Sequence, residues 1–209
     1  MAKIGTKGKT KTTRRGTIGD GSQKKLLERI FSVLKAQGAS EVRLIPAKSI
    51  VVDERVRLKC QIPLCDTYGR NLMCPPNLPS VEDFRRALER FSRAVLIQVT
   101  ASIPEPSGGK LSEDVFAPAK KLHGLVNMGE KLAFEGGLHF ATGLIGGCCR
   151  LCEECVAAQG EIKCRFPFKA RPSMEAMGID VFSTLENAGL PVAGLPVCDR
   201  VTWTGLILI

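Results

Sequence analysis

The sequence predicts an α/β or α+β fold, with a central mixed sheet and flanking helices, on three observations. Residues 94–100, Ala-Val-Leu-Ile-Gln-Val-Thr, form a near-continuous apolar run rich in β-branched side chains, the pattern of a strand inside a sheet. Leu26, Leu27, Ile30, Phe31 and Leu34 recur at three- and four-residue intervals, and so do Leu122, Leu125, Val126, Leu132 and Ala133. Each set therefore shares one helix face. A chain of 209 residues with 44% hydrophobic content carries enough apolar material for one core and at most a small appendage.

Taken in order, residues 1–22 are expected to be a disordered basic tail and residues 23–209 a cysteine-rich domain. Residues 1–25 hold eight Lys or Arg against Asp20 alone, so seven of the nine net positive charges of the chain lie there. No aromatic residue is interleaved for base stacking. Contact with nucleic acid is expected, if at all, only through this tail. A first helix begins near Ser22 and stops at Gly38. Residues 41–45 and 50–52 read as short extended segments separated by Pro46. Ser80-Val-Glu-Asp83 resembles a capping box and starts a helix to about Phe91, with Phe84 and Leu88 facing inward. Residues 103–117, with Pro104, Pro106, Gly108 and Gly109, read as a long surface loop, and a helix from about Ala119 to Glu135 follows. Ala170–Ala176 starts a short helix with Ser173 near its N-cap, Ile179–Ala188 forms another ended by Gly189, and Val201–Ile209 closes the chain as a strand.

Two groups of cysteines carry the chemistry. Cys149, Cys152 and Cys155 are spaced C-x2-C-x2-C, with Cys164 beyond them. Two residues between sulfurs let a turning backbone aim neighbouring thiolates at one centre. Three in succession followed by a fourth suit a cubane iron–sulfur cluster, which takes four thiolates. Zinc also accepts four thiolates, usually from two separated C-x2-C pairs, and stands as the alternative. Cys60, Cys65 and Cys74 form the second group, in a stretch stiffened by Pro63, Pro75 and Pro76. Three thiolates leave either a fourth ligand from elsewhere, with Cys148 and Cys198 available, or one open metal position. His123 and His139 fall in stretches read as helical and away from a C-x2-C pair, so packing is expected of them rather than metal ligation. Arg171 and Glu175 are expected to form a structural ion pair.

The basic N-terminus is not followed by the apolar stretch of a secretory signal, and no apolar run reaches membrane-spanning length. A cytoplasmic location, where thiols stay reduced, and no membrane contact are therefore expected.

Lys59-Cys60, Cys65, Tyr68-Gly69 and Cys74-Pro75-Pro76 combine with Cys149-Arg-Leu-Cys152-Glu-Glu-Cys155, Cys164, Ala170-Arg-Pro-Ser-Met-Glu-Ala176 and Gly178-Ile-Asp-Val181. Together, over about residues 25–209, they resemble a family of metal-binding proteins known as domain of unknown function 2284, found mainly in anaerobic bacteria and archaea. The resemblance implies metal binding and names no reaction. Cys148 and the basic tail depart from its pattern.

Three functions remain open on the sequence. The first is an iron–sulfur protein holding one or two 4Fe-4S clusters, in electron transfer or as a redox accessory with a partner protein. The second is an enzyme with an open iron at the Cys60, Cys65 and Cys74 site. The third is a zinc-stabilised binding module whose tail contacts nucleic acid. The chain has no Walker loop and no Rossmann glycine fingerprint.

Overall fold

The computed structural model describes residues 20–102, 113–192 and 200–209. Most of the basic tail, the proline- and glycine-rich stretch at 103–112 and Cys198 lie outside these residues. The fold is α+β. Its four strands are β1 (Glu41–Pro46), β2 (Arg93–Ser102), β3 (Thr142–Leu144) and β4 (Arg200–Leu208), in the spatial order β1-β2-β4-β3. Every pairing between them is antiparallel, so the sheet is not the mixed one expected. The apolar run at 94–100 lies in β2, between β1 and β4, where both faces are covered.

The two faces of the sheet carry separate cores. Val95, Ile97, Val99 and Ile207 pack on Leu27, Ile30 and Leu34 of α1 (Asp20–Ala36) and on Leu122, Leu125 and Val126 of α4 (Glu113–Glu135). Leu96, Leu144, Leu206 and Leu208 point the other way. They meet Phe84 and Leu88 of α3 (Val81–Leu88), Leu185 of α5 (Val181–Asn187), and Met174, Met177 and Ile179. The period of two along each strand produces this division. Each fully buried Leu or Ile contributes about 1.5–3 kcal/mol through removal from water.

The local signals act as expected at the helix ends. The Ser80 hydroxyl accepts from the Asp83 N–H at 3.0 Å, and Asp180 accepts from the Ser183 N–H at 3.1 Å at the start of α5. Three elements differ. A short helix, α2 (Glu54–Leu58), precedes the first cysteine group and has no buried residue, so no apolar period announces it. Ser173 accepts from Ala176 at 3.0 Å, but the turn it starts is a 3-10 turn at Glu175–Met177 that ends at Gly178. The helix expected from Ala119 begins at Glu113, with Pro118 inside it. Trp203 holds this early turn by donating its indole N–H to the Val115 carbonyl at 2.8 Å. That contact comes from β4, far away in sequence.

The segment Pro172–Asp180 fixes both cysteine loops. At its start, Ile145 donates to the Pro172 carbonyl at 3.0 Å, and Met174 donates to the Ile145 carbonyl at 2.8 Å. This ties Ile145, just before the Cys148–Cys155 run, to the chain just after Cys164. At its end, Asp53 donates to the Gly178 carbonyl and Asp180 to the Val51 carbonyl, at 2.8 and 2.9 Å. Those bonds hold the base of the loop that carries Cys60, Cys65 and Cys74. One strap therefore pins the necks of two loops distant in sequence. Among the described residues no helix is long and apolar enough to cross a membrane.

Candidate metal centre

Strand β3 delivers the chain to Gly146 and Gly147, where the second cysteine run begins. A Cβ at Gly146 would lie 2.7 Å from the backbone oxygen of Thr204, so only glycine lets this turn press against β4. Gly147 has φ +67°, a left-handed conformation that glycine adopts without steric cost. The connection into the cysteine run is thus a strand and a glycine turn. His139, expected in a helix, lies in the turn between α4 and β3.

Cys149, Cys152, Cys155 and Cys164 line one small cavity. Its other walls are largely apolar, and Leu72 and Met73 reach it from the first cysteine loop. Phe166 donates its backbone N–H to the Cys164 sulfur at 3.3 Å. Burial pushes the Cys149 thiol up, while hydrogen bonding from the Leu151 backbone works against that shift. An N–H group directed at sulfur favours the thiolate.

The chain after Cys164 is held by one face of α4. His123, buried, donates its ring Nε2–H to the Lys169 carbonyl at 2.8 Å, and Asn127 Nδ2 donates to the same oxygen at 3.0 Å. Desolvation lowers the pKa of His123, so its neutral form is favoured, and its Nε2 is taken up by the Lys169 carbonyl. Glu130 pairs with Arg171 Nε at 2.5 Å, both largely buried. This corrects the expected pairing of Arg171 with Glu175. The carboxylate of Glu175 instead accepts from the Gly147 N–H at 3.4 Å, at the neck of the cysteine run. His123, Asn127 and Glu130 are spaced at one helical face, a period visible in the sequence. Their shared target, the backbone at residues 169–171, has no such local signal.

Cys60, Cys65 and Cys74 all lie in the first loop. Cys65 donates its backbone N–H to the Cys60 carbonyl at 3.1 Å and so closes the turn between them. The Thr67 hydroxyl lies 3.3 Å from the Cys65 sulfur and accepts from the Cys74 thiol at 3.5 Å. Cys74 is 5% exposed, and burial pushes its thiol up to about 12. Burial also raises Cys60, with charge on Cys65 acting in the same direction.

The two loops touch. Asn71 donates its amide to the Cys149 carbonyl at 2.9 Å and accepts from the Met73 N–H at 3.0 Å. On the surface, Arg70 stands 3.9 Å from Glu154. Both cysteine groups thus lie side by side. Large apolar side chains stand exposed on the same loops, with Phe168 90% and Ile62 74% accessible.

The donor set is four thiols, which suit zinc or an iron–sulfur cubane. Among the described residues, no three or more Cys, His, Asp or Glu side chains meet closely enough to hold a metal ion. A single zinc, with zinc–sulfur bonds of about 2.3 Å, needs its sulfurs drawn tightly around one point. A cubane carries its thiolates on separate irons and spreads them wider. Four thiols lining one cavity are a donor set that either group accepts.

No curated protein and no solved structure matches the chain. A family model does, over residues 43–209, a span that takes in both cysteine groups, the strap and three of the four strands. With that span matched, the chain belongs to the family described as predicted metal-binding protein, domain of unknown function 2284.

Proposed function

We propose that the protein binds a 4Fe-4S cluster through Cys149, Cys152, Cys155 and Cys164 and a second metal centre through Cys60, Cys65 and Cys74. In this reading it works as an electron-transfer or redox accessory protein. The observation that carries the reading is the cavity lined by all four cysteines of the second group, with apolar walls. When bound, such a cluster supplies one-electron chemistry, with a potential set by burial and by hydrogen bonds to the sulfurs. The chain's own part is to hold the thiols apart around one cavity, to keep water out with Leu72, Met73 and Phe166, and to direct the Phe166 N–H at Cys164. The exposed apolar side chains beside both loops, Ile62 and Phe168 among them, suit transient docking of a redox partner close to the centres. A compartment that keeps thiols reduced, such as the cytoplasm, goes with this reading.

The test is purification without oxygen. The expected product is brown, absorbs broadly near about 400 nm, and bleaches on reduction, as a cubane does. Cys155→Ser and Cys164→Ser should each lose most of that absorption. A colourless protein with stoichiometric zinc would replace this reading with a zinc-stabilised module.

A further inference from the structure

We propose that the arm at residues 162–169, which carries Cys164, is the docking surface for a small acidic electron-carrier protein. The proposal rests on the reading of a redox-active centre at Cys164, and it names the chemistry of the partner. Along this arm every residue is exposed except Cys164, which is half-buried. Ile162 is 86% and Phe168 90% accessible, so two large apolar side chains stand in water on one short segment. Phe166 stands between them in the chain, exposed on one side and lining the four-cysteine cavity on the other. Apolar side chains gathered on a surface mark a place where another molecule docks. Here that place is the outer side of the wall around the candidate metal centre.

Charge names the kind of partner. Lys163, Arg165 and Lys169 are exposed and interleave with the apolar residues, and Glu161 is the one carboxylate beside them in the chain. Among the described residues none of these three cations forms an ion pair. Other cations do: Arg55 pairs with Asp53, Arg85 with Glu54 and Glu82, and Arg171 with Glu130. Unpaired cations around an apolar centre attract a surface of opposite sign and repel a basic one. The matching surface carries carboxylates around an apolar centre of its own. Rings interleaved with cations also stack nucleobases. Ile162 and Pro167, however, offer apolar contact without stacking, and the arm walls a cysteine-lined cavity, so a redox protein fits it better than a nucleic-acid strand.

The arm is also held in shape. Lys169 and Ala170 both donate their backbone N–H to the Phe166 carbonyl, at 2.9 and 2.8 Å, and close a turn with Pro167 inside it. The Lys169 carbonyl accepts from His123 and Asn127 of α4, and the Phe166 N–H points at the Cys164 sulfur. A surface ordered in advance gives up little conformational entropy on docking. One short arm buries only a small area, which suits the weak, fast-exchanging complexes of electron carriers.

The test uses the full chain, purified without oxygen and titrated calorimetrically with a small acidic ferredoxin and with an acidic flavodoxin. At least one should bind, and raising the salt from about 0.05 to about 0.5 M should weaken that binding about tenfold or more. Lys163→Glu combined with Arg165→Glu should weaken it by about tenfold or more, and Phe168→Ala by about 10- to 30-fold, with metal content unchanged. Phe168→Ala keeps the test decisive where a charge change beside Cys164 disturbs the metal. Lys25→Glu, exposed on α1, should match wild type. Failure of both carriers to bind overturns the proposal, and so does binding that the arm variants leave unmoved. Tighter binding of a basic carrier such as cytochrome c overturns it too. If neither acidic carrier binds while a single-stranded oligonucleotide or phosphatidylserine vesicles bind and the arm variants abolish it, the arm belongs to nucleic acid or to a membrane surface instead. Zinc in place of iron in the purified protein overturns the reading beneath the proposal, and the titrations still decide the surface.

Discussion

Replacing Asn71 by alanine tests whether one side chain couples the two cysteine loops. Asn71 is 6% exposed, and its amide serves both sides: Nδ2 donates to the Cys149 carbonyl and Oδ1 accepts from the Met73 N–H. Alanine removes both partners and leaves a carbonyl and an N–H without a hydrogen bond in a largely dry setting. Each such group costs about 1–3 kcal/mol, so the pair costs about 2–4 kcal/mol after partial access of water. The cost falls on the contact between loops, because the strap at Pro172–Asp180 and the two cores are untouched. Local opening of the loops should therefore rise roughly 30- to 700-fold, at tenfold for each 1.4 kcal/mol. The assay is the rate at which the anaerobically prepared protein passes its iron to an excess of chelator, at a chelator concentration where opening limits the rate. Faster release within that range, with the global denaturation midpoint moving little, is the expected result. A change below about threefold would show that Asn71 does not join the loops.

Other perturbations follow from the same contacts. Arg171→Ala leaves the Glu130 carboxylate largely buried without its partner and should cost about 3 kcal/mol in denaturant unfolding. The double variant with Glu130→Ala should cost less than the sum of the two single changes, and simple additivity would contradict the pairing. Gly146→Ala forces a Cβ to within 2.7 Å of the Thr204 backbone oxygen and should cost about 1–3 kcal/mol, with weakened metal retention. Gly21→Ala, in α1 with nothing within 4 Å of its Cβ, should instead stabilise by up to about 1 kcal/mol, and equal effects at the two positions would refute the steric argument. Metal affinity should rise with pH. The Cys74 thiol is pushed up to about 12, and burial also raises Cys60 and Cys149, so bound metal must displace protons from them. Raising the pH from about 6 to about 9 weakens that competition, and chelator titrations that stay flat across this range would count against thiolate ligation.

Much of the frame is legible in the sequence because it rests on periodic signals. The apolar run in β2 announces a buried strand, and the spacing of Leu27, Ile30 and Leu34 announces the packed face of α1. Ser80 and Asp180 announce helix starts because capping is local chemistry. The cysteine spacings announce which residues belong to each loop for the same reason. What the sequence hides is contact between distant segments. Nothing local in Pro172–Asp180 says that it grips Ile145 at one end and Val51–Asp53 at the other. Arg171 and Glu175 are near neighbours that suggest an ion pair, yet Arg171 turns to Glu130 on α4 and Glu175 to Gly147. Pro118 reads as a helix boundary, and the indole of Trp203 holds the helix together ahead of it. Cys148 and Cys149 are adjacent in the chain, and only the fold admits Cys149 to the four-cysteine cavity and leaves Cys148 outside it.

The central claim is that these thiols hold polynuclear iron–sulfur groups, and the count of iron and acid-labile sulfide per chain tests it most directly. A cubane contains iron and inorganic sulfide in equal number. The account predicts equal amounts of both, about four of each for every complete set of four cysteines. Stoichiometric zinc, or iron without inorganic sulfide, would contradict it.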